Sequence, residues 1–481
     1  MVFQNNVLAG AGNTSAGAGY TIDQSIRFNQ ADSPYMQKTY SGNGSRTTWS
    51  LSFWTKLGKV PPYNTTRAEW FQAYNTTSGA QEDIRIDGST QQLRWFTHND
   101  GGSGTLADLK TTQYLRDHSA WYHILCVADR TNATSSERQR IYINGQRVTD
   151  FATETYPSQN AEGHIGKSAD VHYIGSRAGN VNTRLDGYMA EIVYIDGTAL
   201  YPSSFGETNS SGIWVPIDVS GLTFGTNGFH IDGRDSADLG DDESGNGNDY
   251  STSGLASNDQ VSDSPTNNFC VMNPNNNSGS GTLSQGNLRY AGASTGNNVA
   301  GTIGMSSDKW YWELYIEDDN QVFPGVQDSN VLANGYTEKA VGVETGDNGD
   351  IHEDDANSGL DSVDPNTGDI VGIAFDATNK KIWWSLNGVW YRADQSTTAV
   401  INVSEVEAGN QGYDLSSRTP DFFMPFIGNY THGTAIINFG QEGTFAGNTT
   451  AGGNSDGNGI GNFKYSVPSG YLALCTKNLG S

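Results

Sequence analysis

Trp121-Tyr122-His123-Ile124-Leu125-Cys126-Val127, followed closely by Arg140-Ile141-Tyr142-Ile143-Asn144-Gly145-Gln146-Arg147-Val148, decides how this chain is read. The first stretch is a short, continuous apolar run with aromatic and branched residues, the pattern of a buried strand. The second is a pair of runs meeting across Asn144-Gly145. Both turn positions need positive φ, which Asn and Gly accept, so the segment predicts a two-residue β-hairpin. Upstream, Trp49, Leu51 and Phe53 alternate with Ser50 and Ser52, and Leu93, Trp95 and Thr97 alternate likewise, each set on one face of a strand. Downstream, His172-Tyr173-Ile174-Gly175-Ser176 and Met189-Ala190-Glu191-Ile192-Val193-Tyr194-Ile195 complete a dense cluster of strands that thins after Val215-Pro216.

From about 218 to 300 the chain is rich in Asp, Asn, Ser and Gly, and residues 218–269 read as an acidic, loop-rich connector. A second strand series follows. Trp310, Trp312, Leu314 and Ile316 share one face, and Asp369-Ile370-Val371-Gly372-Ile373-Ala374-Phe375-Asp376 is a buried-strand run. Ile382-Trp383-Trp384-Ser385-Leu386 meets Val389-Trp390-Tyr391 across Asn387-Gly388, a hairpin of the same kind, and Thr434-Ala435-Ile436-Ile437-Asn438-Phe439-Gly440 is the last clear strand. The 481 residues include 59 Gly and 11 Trp, with 17% charged, a composition that suits short strands and tight turns rather than charged helices. The expected fold class is all-β: two tandem β-sandwiches, at 20–217 and 270–481. Residues 1–19 end in a Gly/Ala tract that cannot build a core, and they read as an N-terminal anchoring arm with Val2, Phe3, Val7 and Leu8 as its assembly contacts.

Charge narrows the partners. Against 53 acidic residues stand 27 basic ones, a net charge of −26. Such a surface repels phosphate backbones and anionic lipid, so neither nucleic acid nor membrane is expected as a partner. Cys126, Cys270 and Cys475 are few and far apart, and they are expected as reduced thiols from a reducing compartment. The start, Met1-Val2-Phe3-Gln4-Asn5-Asn6, lacks the basic region and apolar core of a signal peptide.

These strands carry resemblances to known families. His118 to Val148, then Tyr173-Ile174-Gly175-Ser176 and Leu185-Asp186-Gly187-Tyr188-Met189-Ala190-Glu191-Ile192, resemble the concanavalin A-like, laminin G-type jelly roll over roughly 20–217. Lys309-Trp310-Tyr311-Trp312-Glu313, the 368–376 strand, Trp383-Trp384-Ser385-Leu386-Asn387-Gly388 and Ile437-Asn438-Phe439-Gly440 resemble the SPRY domain over about 270–475. The pairing is similar to structural proteins of tailed phages, marine ones especially. So are the opening Asp23-Gln24-Ser25-Ile26-Arg27-Phe28-Asn29 and the segments Asp242 to Asp249 and Ser264 to Phe269. That resemblance implies a virion component made in the bacterial cytoplasm and carried on the virion surface: a tail fibre, or a capsid-surface fibre or decoration. Its partners would be capsid or tail proteins and its own copies, a trimer being favoured, with host-surface glycan as ligand. The alternatives are a decoration protein that binds only neighbouring virion subunits, and a polysaccharide depolymerase.

Catalytic patterns are weak. Gly292-Ala293-Ser294-Thr295-Gly296 matches the nucleophile-elbow string, but Asn297-Asn298-Val299-Ala300-Gly301 is a poor helix start where that chemistry needs a helix. The Glu-x-Asp-x-x-Glu string of the jelly-roll glucanases is missing; the nearest pairs are Glu313 with Glu317 and Asp83 with Asp87. His118 and His123 would face opposite ways on a strand. No catalytic residue is assigned and the protein is expected not to be an enzyme.

Cation binding is the remaining chemical question. Asp242, Ser244 and Asn246 before Gly247 copy the start of an EF-hand loop, although Ser253 stands where the bidentate Glu belongs. Asp347, Asp350 and Glu353 lie in a carboxylate-dense segment that either holds a cation, Ca2+ in this reading, or is solvated. For a glycan, aromatic faces beside amides and carboxylates are the recognisable pattern, and Tyr63-Asn64, His98-Asn99-Asp100 and Asn429-Tyr430 supply it.

Overall fold

In the computed structural model the described residues are 19–58, 67–99, 104–177, 180, 183–293, 296–329 and 335–479. They form two units, the first ending at Asn267 and the second running from Asn268. The assembly residues Val2, Phe3, Val7 and Leu8 lie outside them, as do Tyr63, Asn64 and Asp100. The fold class is as expected: sandwiched β-sheets, and among the described residues one α-helix, Val403–Glu407.

Two eight-stranded sheets and a small two-stranded one, Gly206–Thr208 with Trp214–Pro216, make the first unit. One is centred on Tyr122–Asp129, Thr48–Leu57 and Gly187–Asp196, and the other on Gln92–His98, Gln81–Asp87 and Arg67–Tyr74. Trp49, Leu51 and Phe53 point inward to meet Trp70, Ile84, Ile86, Trp95 and Leu109 of the facing sheet, and all are buried. The hairpin at Asn144-Gly145 forms as read, with φ of 48° and 75°. A Cβ at Gly145 would fall 2.5 Å from the Trp214 ring, so glycine is needed for contact as well as for backbone angle.

The run at Tyr122–Asp129 is continuously apolar because both of its faces are covered. Ile124, Cys126 and Ala128 enter the inter-sheet core, while Leu125 and Val127 lie under Phe205, Val219 and Phe224 on the other side. That covering comes partly from a segment expected to be a connector. Residues 218–267 are instead built into the first unit. Phe229–Ile231 pairs with Gly187–Asp196, Ser251–Ser253 with Tyr35–Lys38, and Gln260–Val261 with Ser25–Phe28. Strands of two or three residues flanked by Asp and Gly are too short to show alternation, and so the composition reads as loop.

Polar contacts fix the same segment. Asp263, fully buried, takes Lys56 Nζ at 2.7 Å and Trp121 Nε1 at 3.1 Å on its two carboxylate oxygens, and its carbonyl accepts from Ser25 Oγ at 2.6 Å. Arg27, also buried, reaches Asp259. At a β-bulge in Gly187–Asp196, Glu191 adopts a φ of 47° and turns its carboxylate to His230 Nε2, 2.9 Å away, and to the Tyr20 hydroxyl.

A seven-stranded and a nine-stranded sheet make the second unit. Lys309–Asp318 sits between Thr434–Asn438 and Ile370–Asp376, and the latter pairs with Lys381–Leu386. Trp312, Leu314, Ile373, Trp384 and Ile437 form the core with Val322, Val341 and Ile351 of the seven-stranded sheet. Asn387-Gly388 turns with φ of 50° and 81°.

Removing one partner of a buried ion pair leaves the other charge uncompensated. Asp263→Ala is therefore expected to destabilise the first unit by about 3–5 kcal/mol, read as a lowered urea midpoint. An unchanged midpoint would show that residues 218–267 do not hold the sandwich together.

Candidate functional site

The sequence-derived ligand sets separate once folded. Asp242 accepts the amides of His230 and Ser244 on Oδ1, and Ser244 Oγ and the Asn248 amide on Oδ2. Asn246 donates its side-chain amide to the carbonyls of Gly225 and Gly228. These residues close a loop and do not converge on one point. Asp347 is exposed at a turn, and Glu353 is held by Tyr413 OH at 2.6 Å and Arg418 Nε at 2.7 Å. Of that acidic set, Asp350 alone lies, among the described residues, in a group of side chains of metal-ligand type. His98 and Asn99 end the strand Gln92–His98, where the His98 carbonyl receives the His164 ring. Asn429 is buried and donates to the Gly433 carbonyl, out of reach of a ligand, whereas the next residue, Tyr430, is 41% exposed.

Tyr430 and Asp350 belong to one neighbourhood of the second unit. The Tyr430 ring stands edge-on to Tyr336 with centroids 4.9 Å apart, and Tyr336 in turn contacts His352 and Phe323. His352 is on Asp350–Glu353 and pairs with Gly342 of Ala340–Val343, so strand alternation puts Asp350, His352 and Glu344 on one face. Their nitrogen and oxygen atoms lie within 4.8 Å of one another. Glu344 and His352 went unread in the sequence because Glu344 follows the end of one strand, His352 lies on the next, and they meet through register alone. Tyr336, on a loop beside Lys339, carried no pattern.

The other nucleophile and base candidates are held in structural contacts. Ser52 Oγ lies 2.8 Å from His123 Nε2, a nucleophile–base spacing. Yet Trp214 Nε1, a donor only, points at His123 Nδ1 at 3.1 Å. Nδ1 is therefore the acceptor and Nε2 carries the proton, so the imidazole donates to Ser52 and cannot activate it. Burial alone pushes His123 down to about 3. His118 lies in a loop rather than on a strand, with its ring against the Leu57 carbonyl and Gln91. Burial raises the Cys126 thiol, and all three cysteines are buried. Asn297–Gly301 is a strand, so the elbow string lacks its helix, and Ser294 and Thr295 lie outside the described residues.

The carboxylate pairs read from sequence are also accounted for. Asp83 is bound by Arg85 at 2.6 Å and Asp87 by Lys110 at 2.9 Å. Glu313 accepts the amides of Lys464 and Tyr465 and the Tyr311 hydroxyl, and burial pushes it up to about 7; Glu317 pairs with Arg289. A further pair was not read. Glu69, buried next to Asp83 and bonded to Arg67 at 2.6 Å, is pushed up to about 8 by burial first and then by the Asp83 charge.

Residues 30–202 match the sequence profile of the concanavalin A-like lectin/glucanases superfamily. Among curated proteins none matches the chain. Several solved structures are similar in fold. The SPRY domain of human HERC1 is 14% identical, with 34% of this chain and 96% of that one covered and a TM-score of 0.27. A putative carbohydrate binding protein from Bacteroides ovatus is 14% identical, with 49% and 58% covered and a TM-score of 0.28. Domains LG4-5 of the mouse laminin alpha1 chain are 10% identical, with 89% and 91% covered and a TM-score of 0.29. Over residues 30–202 the first unit is thus similar to concanavalin A-like, laminin G-like domains.

The tautomer of His123 is directly measurable. Long-range 15N correlation spectra are expected to show a neutral ring protonated on Nε2 down to about pH 4, and Ser52 should not react with a fluorophosphonate. The unfolded ring takes a proton near 6.5 while the folded one does not, so this group removes stability as pH falls from about 6.5 towards 3. A ring protonated on Nδ1 would contradict the assignment.

Proposed function

We propose that the protein is a non-enzymatic binding component of a tailed-phage virion, a tail fibre or a capsid-surface fibre or decoration. In this reading it is anchored through residues 1–19 and presents its β-sandwiches to host-surface glycan. The observation that carries the ligand class is the exposed Tyr430 ring held edge-on by Tyr336 beside Glu344, Asp350 and His352. An aromatic face with amphipathic character contacts the C–H face of a sugar, and the half-buried carboxylate of Asp350 takes its hydroxyls. The concanavalin A-like match over 30–202 supports the binding class, and the sequence resemblance supports the virion role. A single site of this size binds weakly, so copies joined in a homo-oligomer, with a trimer favoured, would gain by avidity.

A second reading, a polysaccharide depolymerase, has one observation in its favour: Glu69 as a buried, proton-retaining acid beside Asp83. Both carboxylates are fully buried and ion-paired with Arg67 and Arg85, which favours a structural role. Release of reducing ends that disappears in Glu69→Gln would decide for the enzyme.

For the binding reading, saturation-transfer NMR with polysaccharide extracted from the host surface is expected to show ligand contact. Tyr430→Ala should weaken it about tenfold, or about 1.4 kcal/mol. Unchanged binding in that variant would move the glycan site elsewhere. Deleting residues 2–19 is expected to leave a folded protein that no longer joins particles, and normal incorporation would place the anchor elsewhere.

A further inference from the structure

His352 Nδ1 lies 3.3 Å from the Tyr336 hydroxyl oxygen, and that hydroxyl donates to the Asp355 carbonyl at 3.0 Å. A tyrosine has one hydroxyl proton. With that proton directed at Asp355, the Tyr336 oxygen accepts from His352, and Nδ1 carries the ring's hydrogen. In a neutral imidazole Nε2 is then a bare lone pair. Among the described residues this buried Nε2 makes no hydrogen bond, and the nearest acid, Glu344 Oε2, lies 2.9 Å away. Two acceptors at that distance repel unless a cation lies between or beside them.

The remaining surroundings suit a metal ion better than a lone proton. Asp350 brings a third ligand atom within 4.8 Å of the other two. Donors also hold these carboxylates: Gln321 Nε2 on Glu344 Oε1 at 2.6 Å, and Asn357 Nδ2 on Asp350 Oδ2 at 2.6 Å. Partners of this kind orient metal ligands and fix the imidazole tautomer. Asp361, register partner of Asp350, adds a further carboxylate on the next strand. Glu344 is 4% exposed, so its charge is costly without a counter-charge.

We propose that Glu344, Asp350 and His352 bind a divalent transition-metal ion of the Zn2+ or Mn2+ type through Nε2 and two carboxylate oxygens. One imidazole with two carboxylates selects such ions over Ca2+, which prefers an all-oxygen shell of six or more ligands. The inference does not rest on glycan binding, because its test uses metal alone.

The full chain, stripped with EDTA, would be titrated calorimetrically with ZnCl2, MnCl2 and CaCl2, with melting followed in parallel. One equivalent of Zn2+ or Mn2+ is expected to bind and raise the melting temperature. The affinity should fall at least tenfold in Glu344→Gln and in His352→Gln, and Ca2+ should have little effect. Binding that survives both substitutions, or Ca2+ binding tighter than Zn2+, would overturn the proposal. Should a variant fail to fold, the wild-type His352 ring serves instead. Its Nε2 resonance should shift to a metal-bound position on Zn2+ addition, and an Nε2–H signal that persists under saturating Zn2+ would show the cation to be a proton.

Discussion

The buried ion pair between Lys56 and Asp263 is the constraint on which the first unit depends. Both side chains are fully buried, at 2.7 Å, and Asp263 also takes the Trp121 indole. Charges in that setting are tolerable only as a pair with satisfied hydrogen bonds, so the strand carrying Lys56 requires the segment carrying Asp263. The consequence propagates outward. With residues 259–266 held in place, Val261 packs with Ile22, Trp54 and Tyr188, and Thr266 bonds both backbone groups of Ile22. The outer face of the sheet is thereby covered, which is why its strands can be apolar on both sides.

The strands that carry this architecture were legible because they are long or strongly marked. Alternation at Trp49, Leu51 and Phe53 reports one buried face, and the Asn-Gly pairs at 144 and 387 report turns that few other dipeptides can make. Residues 218–267 were illegible for the converse reason. Their strands have two or three residues, and their fixing contacts are polar and reach more than 200 positions along the chain, as Lys56 to Asp263 does. A window scanned for periodicity sees only Asp, Asn, Ser and Gly, and reads a linker.

The same distinction governs the candidate site. Tyr430 and Asp350 were legible as an aromatic beside an amide and as an acid in an acidic run. Of the partners that give them meaning, His352 shares the Asp350 strand, whereas Tyr336 lies on a loop and Glu344 just past the end of the neighbouring strand, brought in by the pairing of Gly342 with His352. Asp242 shows the opposite failure. Its spacing imitates a cation loop, but folding supplies four protein donors to its two oxygens. Local spacing measures which atoms are available in the chain, and the folded register decides which of them remain so.

Residues 218–267 are an integral part of the first unit rather than a link. Native-state hydrogen exchange tests it most directly, because exchange by global unfolding and exchange from a loop differ by orders of magnitude. The amides of Phe229, Ile231 and Val261 are predicted to be protected to the same level as those of Gly187–Asp196, and to lose protection together with them as urea is raised. Exchange of these amides at loop rates, while Gly187–Asp196 stays protected, would contradict the account.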